Sequence, residues 1–338
     1  MKSLLDDSFE KSLNPVFSLK PSFAYAAGIF SELQRLSLKD NSDLEIAIND
    51  ADPKNQIRTR DFYKEFFHFR NLNFRLSFNT SKNNSLLTPD ILLSSFPANL
   101  ENDINLLKRE LFSQRPANYE GDLQNIWIHN DAKVSNLCFI NASKGSVVID
   151  ENAEISAFCI LNGPLYIGAG SILDRVSISH TRIGRECRMG GEISDCIIGD
   201  FTNKHHEGFL GHSIAGDWIN LGALTTTSDL KNNYGKIRLE YHKQDFETHR
   251  IKFGSILGDF VKTGIGTMLN TGTIVDTGAL LFLGCPLQKY YPPFFWGGAI
   301  PEKYLLDRFL EDIKKIMARR NQAPDIFLLN QISLLHKI

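Results

Sequence analysis

The sequence predicts a mainly β fold centred on a parallel β-helix, with a small N-terminal α/β domain before it and a C-terminal α-helix after it. Three observations carry this. Aliphatic residues recur at every sixth position from about Ile126, small or turn-forming residues follow many of them, as in IGAGSI, and both flanks differ in texture. A period of six is one short strand plus a corner, repeated until the inward aliphatics stack into a continuous core. Neither an amphipathic helix nor a doubly wound sheet produces it.

In the first domain, 1–120, Ser22 to Leu38 has the helical spacing of Ala26, Ile29, Phe30, Leu33 and Leu36, and Asp103 to Phe112 also reads as helix. Asn71 to Phe78 alternates Leu72, Phe74, Leu76 and Phe78 with polar residues, a strand pattern. Gly28 is the sole glycine before Gly121. Loops that wrap nucleotide phosphates need glycines so that backbone N–H groups can come close. A working nucleotide site is therefore not expected in this domain.

The β-helix is expected over 121–298. Ile149, Ile155, Leu161, Ile167 and Leu173 lie six apart; the phase slips and returns at Ile183, Met189 and Ile198, and Phe209, Ala215 and Leu221 continue it. Leu257, Thr263, Leu269, Val275 and Leu281 resume the period after an excursion at 228–254. That excursion is polar and charged, and its length suits a functional loop or an interface arm, with a tolerated surface insertion as the plainer alternative. In the last segment, 299–338, Pro301 opens a helix with Leu305, Phe309, Ile313, Ile316 and Met317 on one face. Lys314, Lys315, Arg319 and Arg320 fall late in it, where they suit the helix dipole. Such a helix would cap the open end of the solenoid.

Composition narrows the function classes. With 37 basic and 39 acidic residues, the chain offers no electrostatic case for nucleic acid or a polybasic membrane contact. None of the five cysteines forms a C-x-x-C pair, so free buried thiols are expected. The start, MKSLLDDSFEKSLNP, puts acidic residues where a signal peptide has its apolar run, and no segment offers the roughly 18 apolar residues of a membrane span. A cytoplasmic location is expected.

The candidate site is the stretch Asn203 to Gly235, which holds adjacent histidines His205 and His206, a third at His212, and many amides and hydroxyls. Hexads followed by HHEGFLGHSIAGDWINLGALTTTSD, NNYG and GDFVKTGIGTMLNTGTIV resemble the acetyltransferase half of the bifunctional N-acetylglucosamine-1-phosphate uridyltransferase/glucosamine-1-phosphate N-acetyltransferase family. That resemblance implies a left-handed β-helix, a homotrimer with sites between subunits, acetyl-CoA as cofactor, and an amino-sugar phosphate or nucleotide sugar as substrate. The opening LLDDSFEKSLNPVFSLKPSFAYAAGIFSELQRL is similar to sugar nucleotidyltransferases of the same overall build.

Carried over by position, the resemblance makes His206 the catalytic base, because its HEGFLG matches the family's H-L-T-Y-L-G. Imidazole suits the removal of a proton from an amine near neutral pH. Asn220 falls on a sugar-phosphate ligand. The loop with Asp229, Asn233, Tyr234 and Lys236 falls on further substrate ligands, in a register that a length change leaves open between Asp229 and the Asn232–Asn233 pair. Lys262, Thr263 and Gly264 fall on the segment lining the acetyl-CoA groove. Phe209 stands where the family has a substrate-holding tyrosine, and Leu224 replaces a glycine. These departures keep a non-catalytic sugar-nucleotide-binding or scaffold relative open as an alternative, with a sugar-1-phosphate nucleotidyltransferase as a third.

Plainer readings stand beside these. His205 can be a mere neighbour of the base. His206 and His212, six apart, could stack on successive rungs of one corner and, with His180, suggest a metal site, but no ligand set has a recognised spacing and no metal is expected. Lys204 and Glu207 read as a solvated rung. The run YYPPFFWGG, Tyr290 to Gly298, reads either as a roof over an acyl-CoA groove or as a packed turn into the final helix.

Overall fold

The computed structural model describes Gly28, three N-terminal strands and residues 89–337 apart from 283, 284, 286 and 299. Ser3–Asp6, Leu44–Asn49 and Phe74–Asn79 form a parallel three-stranded sheet in chain order. The third of these is the strand expected at Asn71 to Phe78. The helix expected at Ser22 to Leu38 lies outside the described residues, Gly28 excepted.

The helix expected at Asp103 to Phe112 sits earlier in the chain. Helix α1 spans Pro89–Ile104, and only a 3-10 turn, Arg109–Leu111, follows it. Leu92, Phe96, Leu100 and Ile104, four apart, supply one continuous buried stripe, and that stripe ends where a turn at 105–107 begins. The stripe packs on the outer face of the coil against Val148 and Tyr166.

The coil itself begins at Asn118–Glu120 and runs to Phe295–Trp296 as stacked parallel strands joined by corners, a β-solenoid consistent with the left-handed β-helix. Its inward residues are the predicted hexads. Ile149, Ile155, Leu161, Ile167, Leu173, Ile183, Met189 and Ile198 are buried, as are Leu257, Thr263, Leu269, Val275 and Leu281. One position differs. Leu210, not Phe209, points inward, because the period from Ile198 runs through residue 204 to 210 before a five-residue step to Ala215. Four cysteines are buried in the coil and the fifth, Cys285, is half-buried; among the described residues none forms a disulfide.

The excursion is packed, not loose. Arg238–Tyr241 and Gln244–Glu247 pair as an antiparallel hairpin, and Ile237, Leu239 and Phe253 bury against Ile214, Ile256 and Ile274 on an outer face. Tyr290–Tyr291 and Phe295–Trp296 make the final rungs, so YYPPFFWGG is a packed part of the coil. Pro301 opens no helix, because Glu302–Lys303 instead pairs antiparallel with Phe295–Trp296. Helix α2 spans Leu306–Ala318 and a second helix, α3, spans Ile326–His336. Leu305 is exposed, whereas Phe309, Ile313 and Met317 are buried as expected. Among the described residues no helix is long and apolar enough to cross a membrane.

The cap rests on an aromatic corner. Phe201 stacks on Trp218 with centroids 4.1 Å apart, and Phe260 continues the column. Phe309 meets Phe260, Phe294 and Tyr304 edge-on. Truncating a fully buried phenylalanine costs about 3–5 kcal/mol. Phe309→Ala is therefore expected to lower the urea midpoint by that amount of stability, measured by circular dichroism, and to leave the strand signal of the coil in place below the transition.

Candidate active site

Backbone register explains which site residues meet. Asn203, Asn220 and Lys262 are Cα partners in successive coils and point outward from one face. Asn203 Nδ2 donates to Asn220 Oδ1 at 2.8 Å. Four-residue corners follow these strands at 205–208, 222–225 and 264–267, and they also stack. The Leu224 N–H donates to the Glu207 carbonyl and the Gly266 N–H to the Ala223 carbonyl, both at 2.8 Å. By the same register His206 heads one edge of the coil in column with Ala223 and Ile265, and Leu224 stands beside it in column with Glu207.

That edge is open and apolar. His206 is exposed, and so are Leu224, Ile265 and Met268, Ile265 at 72%. Gly266 adopts φ +72°, and a Cβ there would meet nothing within 4 Å. Gly264 is enclosed: its N–H donates to the Leu281 carbonyl at 2.6 Å, and a side chain on Gly222 would strike its carbonyl carbon at 2.6 Å. Thr263 turns its hydroxyl into the lumen, 2.7 Å from Thr225 Oγ1, and so offers a ligand only its backbone.

Beside the edge lies a cavity of about 230 Å³ between the Asn203–Asn220–Lys262 face and the end of α2. Lys262, Arg319 and Arg320 line it over a floor that includes Phe201 and Trp218. Burial lowers the Lys262 pKa, with Asp312 partly opposing, and burial together with nearby Arg188 and Arg319 lowers that of Arg320. Among the described residues Arg320 Nε is buried without a hydrogen-bond partner. Cations that repel one another around an unpaired donor form a place for an anion. The positions Arg319 and Arg320 were legible only as dipole partners of a helix.

Lys204 is not a solvated residue. It is 2% exposed, stands on the inward period, and donates from Nζ to the carbonyls of Gly190 at 2.8 Å and His206 at 2.9 Å. Burial brings its pKa from 10.5 down to about 8, with Glu207, Cys196 and Glu192 partly opposing.

His206 and His212 do not share a corner. His206 follows strand Asn203–Lys204, whereas His212 follows Phe209–Gly211 at the next corner of the same coil. There a column of titratable groups recurs coil by coil. His212 Nδ1 lies 2.7 Å from Asp229 Oδ2, His212 Nε2 lies 3.7 Å from Asp195 Oδ2, and His180 Nδ1 lies 3.6 Å from Asp195 Oδ1. Burial opposes ionisation of Asp195, but hydrogen bonds from His180 and Ser194 and the nearby His212 outweigh it and hold the carboxyl at about 2. Among the described residues no group of three or more His, Cys, Asp or Glu side chains is arranged to hold a metal.

Asp229 is therefore a partner of His212 through its Oδ2. The pair also pins both feet of the arm, because the Phe253 N–H donates to the Asp229 carbonyl at 2.8 Å and the Gly254 N–H to the His212 carbonyl at 2.9 Å. Phe209 lies across Gly211, where an added Cβ would fall 2.3 Å from its ring and 2.9 Å from Asp229 Oδ2. Asn233, Tyr234 and Lys236 occupy an exposed turn of the arm, closed by the Gly235 N–H donating to Asn233 Oδ1 at 3.0 Å. Among the described residues no hydrogen bond or ion pair joins them to the His206 corner.

The chain is 31% identical over 128 residues to a bifunctional protein GlmU of Methanococcus vannielii, a match covering 38% of this chain and 29% of that one. It is 26% identical over 154 residues to a bifunctional sugar-1-phosphate nucleotidylyltransferase/acetyltransferase of Sulfurisphaera tokodaii, covering 43% and 37%. Over these stretches the chain is similar to GlmU-type proteins. It spans about a third of the length of these GlmU-type relatives. A solved acetyltransferase domain of PglB from Neisseria gonorrhoeae, in complex with acetyl coenzyme A, aligns at 13% identity over 68% of this chain and 94% of that one, with a TM-score of 0.18. No protein-family model matches the chain.

The Asp229–His212 pair yields a prediction. Asp229→Ala leaves His212 without its close partner, at a cost of about 1–3 kcal/mol, and is expected to speed amide exchange across 237–253, read by mass spectrometry. The Asp195 shift gives a second. Its folded pKa is lowered from 3.8 to about 2, so its stabilisation is present above pH 4 and lost as pH falls toward 2. Asp195→Asn is expected to flatten that part of the acid-unfolding profile.

Proposed function

We propose that the protein is an acetyl-CoA-dependent N-acyltransferase acting on an amino-sugar phosphate or nucleotide sugar, with His206 as general base. One observation supports this above the rest: His206 heads an open apolar edge that is flanked by a cavity lined by Lys262, Arg319 and Arg320. The residues present fit an acyl-CoA. Lys262, Arg319 and Arg320 would hold its phosphates, and the edge at Leu224, Ile265 and Gly266 would take its apolar arm. Acetyl-CoA, when bound, supplies an acetyl group activated as a thioester.

The chain's own residues then have defined tasks. His206 Nδ1 or Nε2 takes the proton that the amine loses as it attacks. Asn220 and Asn203 present amides beside that corner for sugar or phosphate oxygens. Among the described residues no hydrogen bond joins the exposed turn with Asn233, Tyr234 and Lys236 to its own His206 corner, which suits a homotrimer in which the arm of one subunit reaches the site of the next. Phe209 offers a ring in place of a hydroxyl, so the acceptor is held less by hydrogen bonds on that side and more by apolar contact.

Two observations favour the second reading, a binding relative without turnover: Phe209 lacks the hydroxyl, and Asp229 is engaged by His212. Calorimetry and a transfer assay separate the two. His206→Ala is expected to abolish acetyl transfer to amino-sugar acceptors with the melting temperature nearly unchanged, since the side chain is exposed. Arg320→Ala is expected to weaken acetyl-CoA binding by about tenfold or more, in line with about 1.5–3 kcal/mol for a charged hydrogen bond. Nucleotide-sugar binding with no heat from acetyl-CoA would replace the transferase with the binding protein.

A further inference from the structure

Lys204 stands where the repeat calls for an aliphatic residue. It lies six residues after Ile198 and six before Leu210, and its neighbours in the inward column are Met189 and Leu221. Burying an ammonium there opposes folding, whereas an apolar residue would satisfy the lumen. A cost kept at one point of a regular repeat marks a task at that point.

The geometry identifies the task. Register pairs Met189 with Lys204 and Glu192 with Phe209, so two residues, Gly190 and Gly191, turn the corner in one coil where four, 205–208, turn it in the next. The longer corner carries His206 and overhangs the shorter one. Lys204 bridges them, donating to the carbonyl of Gly190 at 2.8 Å and to that of His206 at 2.9 Å. Room for the ammonium comes from the paired glycines: a Cβ on Gly191 would lie 2.9 Å from Nζ, and one on Gly190 would strike the His205 carbonyl at 2.0 Å.

We propose that Lys204 is a positioning residue, which ties the His206 corner to the coil before it and so holds the imidazole in place for proton removal. The proposal rests on the acetyl-transfer reading of the site. The tether is charge-dependent. The charged and titratable groups facing the ammonium are Glu207, Cys196 and Glu192, and burial outweighs them to leave its pKa at about 8. A folded pKa lowered from 10.5 means that the unfolded chain holds more protons between pH 8 and 10.5, so stability rises with pH across that window. The hydrogen bonds to the two carbonyls weaken in the same window, because a charged donor is the stronger one.

The test compares wild type with Lys204→Met, which keeps the apolar stem and removes the donor, and Lys204→Gln, which keeps a neutral donor. For Lys204→Met the expected result is a kcat lower by about tenfold or more with KM values within about twofold, the loss expected when an interaction serves the transition state alone. The wild-type kcat is expected to decline above pH 8, and neither variant should show that limb. Lys204→Gln should retain more turnover than Lys204→Met, and it carries the test if the methionine variant fails to fold. The titration of the His206 ring, followed by NMR with His206→Asn for assignment, should shift in both variants. Wild-type turnover and an unmoved His206 titration in Lys204→Met would overturn the proposal. If the wild-type protein transfers no acetyl group, the acetyl-transfer reading falls, and the His206 titration alone still decides whether Lys204 positions that ring.

Discussion

Everything in this molecule depends on the closure of one narrow lumen. Successive strands hydrogen-bond through their backbones, so each inward side chain must fit between the one before and the one after it. Ile155, Leu173, Met189, Lys204, Leu221, Thr263 and Leu281 form one such column, and five of the seven are apolar. The two exceptions are satisfied from within: Thr263 by Thr225, and Lys204 by two backbone carbonyls. Because the lumen admits no slack, an inserted or deleted residue is pushed to a corner. The corners are therefore where this chain can carry chemistry.

Two corners of the same coil have been used in different ways. The His206 corner is open, apolar along its edge and flanked by a cavity lined by Lys262, Arg319 and Arg320, the properties of a ligand site. The His212 corner is closed. There His180, Asp195, His212 and Asp229 satisfy one another in a column, and the last pair holds the two feet of the arm. An imidazole that is 8% exposed and paired to a carboxylate is a structural clasp, while an exposed imidazole at an edge can reach a substrate. Having both in one short stretch is what makes the stretch look like a single histidine-rich site in the sequence.

The cap and the arm show how the remaining outer surface is handled. A solenoid ends in exposed rungs, and here the aromatic column through Phe201, Trp218, Phe260 and Phe294 continues into the buried face of α2. The end of α2 then delivers Arg319 and Arg320 to the cavity beside Lys262. Stability of the cap and charge in the cavity are thus supplied by one element.

The period of six, the corner residues and the presence of a C-terminal helix were legible in the sequence, because a repeating lumen imposes a repeating pattern. His206 and Asn220 could be placed by motif, and the structure sets both beside the same edge. Phe209 was misphased, since the count from Ile198 through a lysine looks broken although 198, 204 and 210 keep the period. Asp229 was legible as a polar loop residue, but its partner His212 lies 17 positions away, one full coil, a spacing that hydropathy does not reveal. The sequence by itself determined the solenoid, because inward burial depends on residue type at fixed intervals. Only the tertiary structure decided which polar residues are spent on one another and which remain open to a ligand, because that depends on which corners stack, and corner lengths, not residue types, set the stacking.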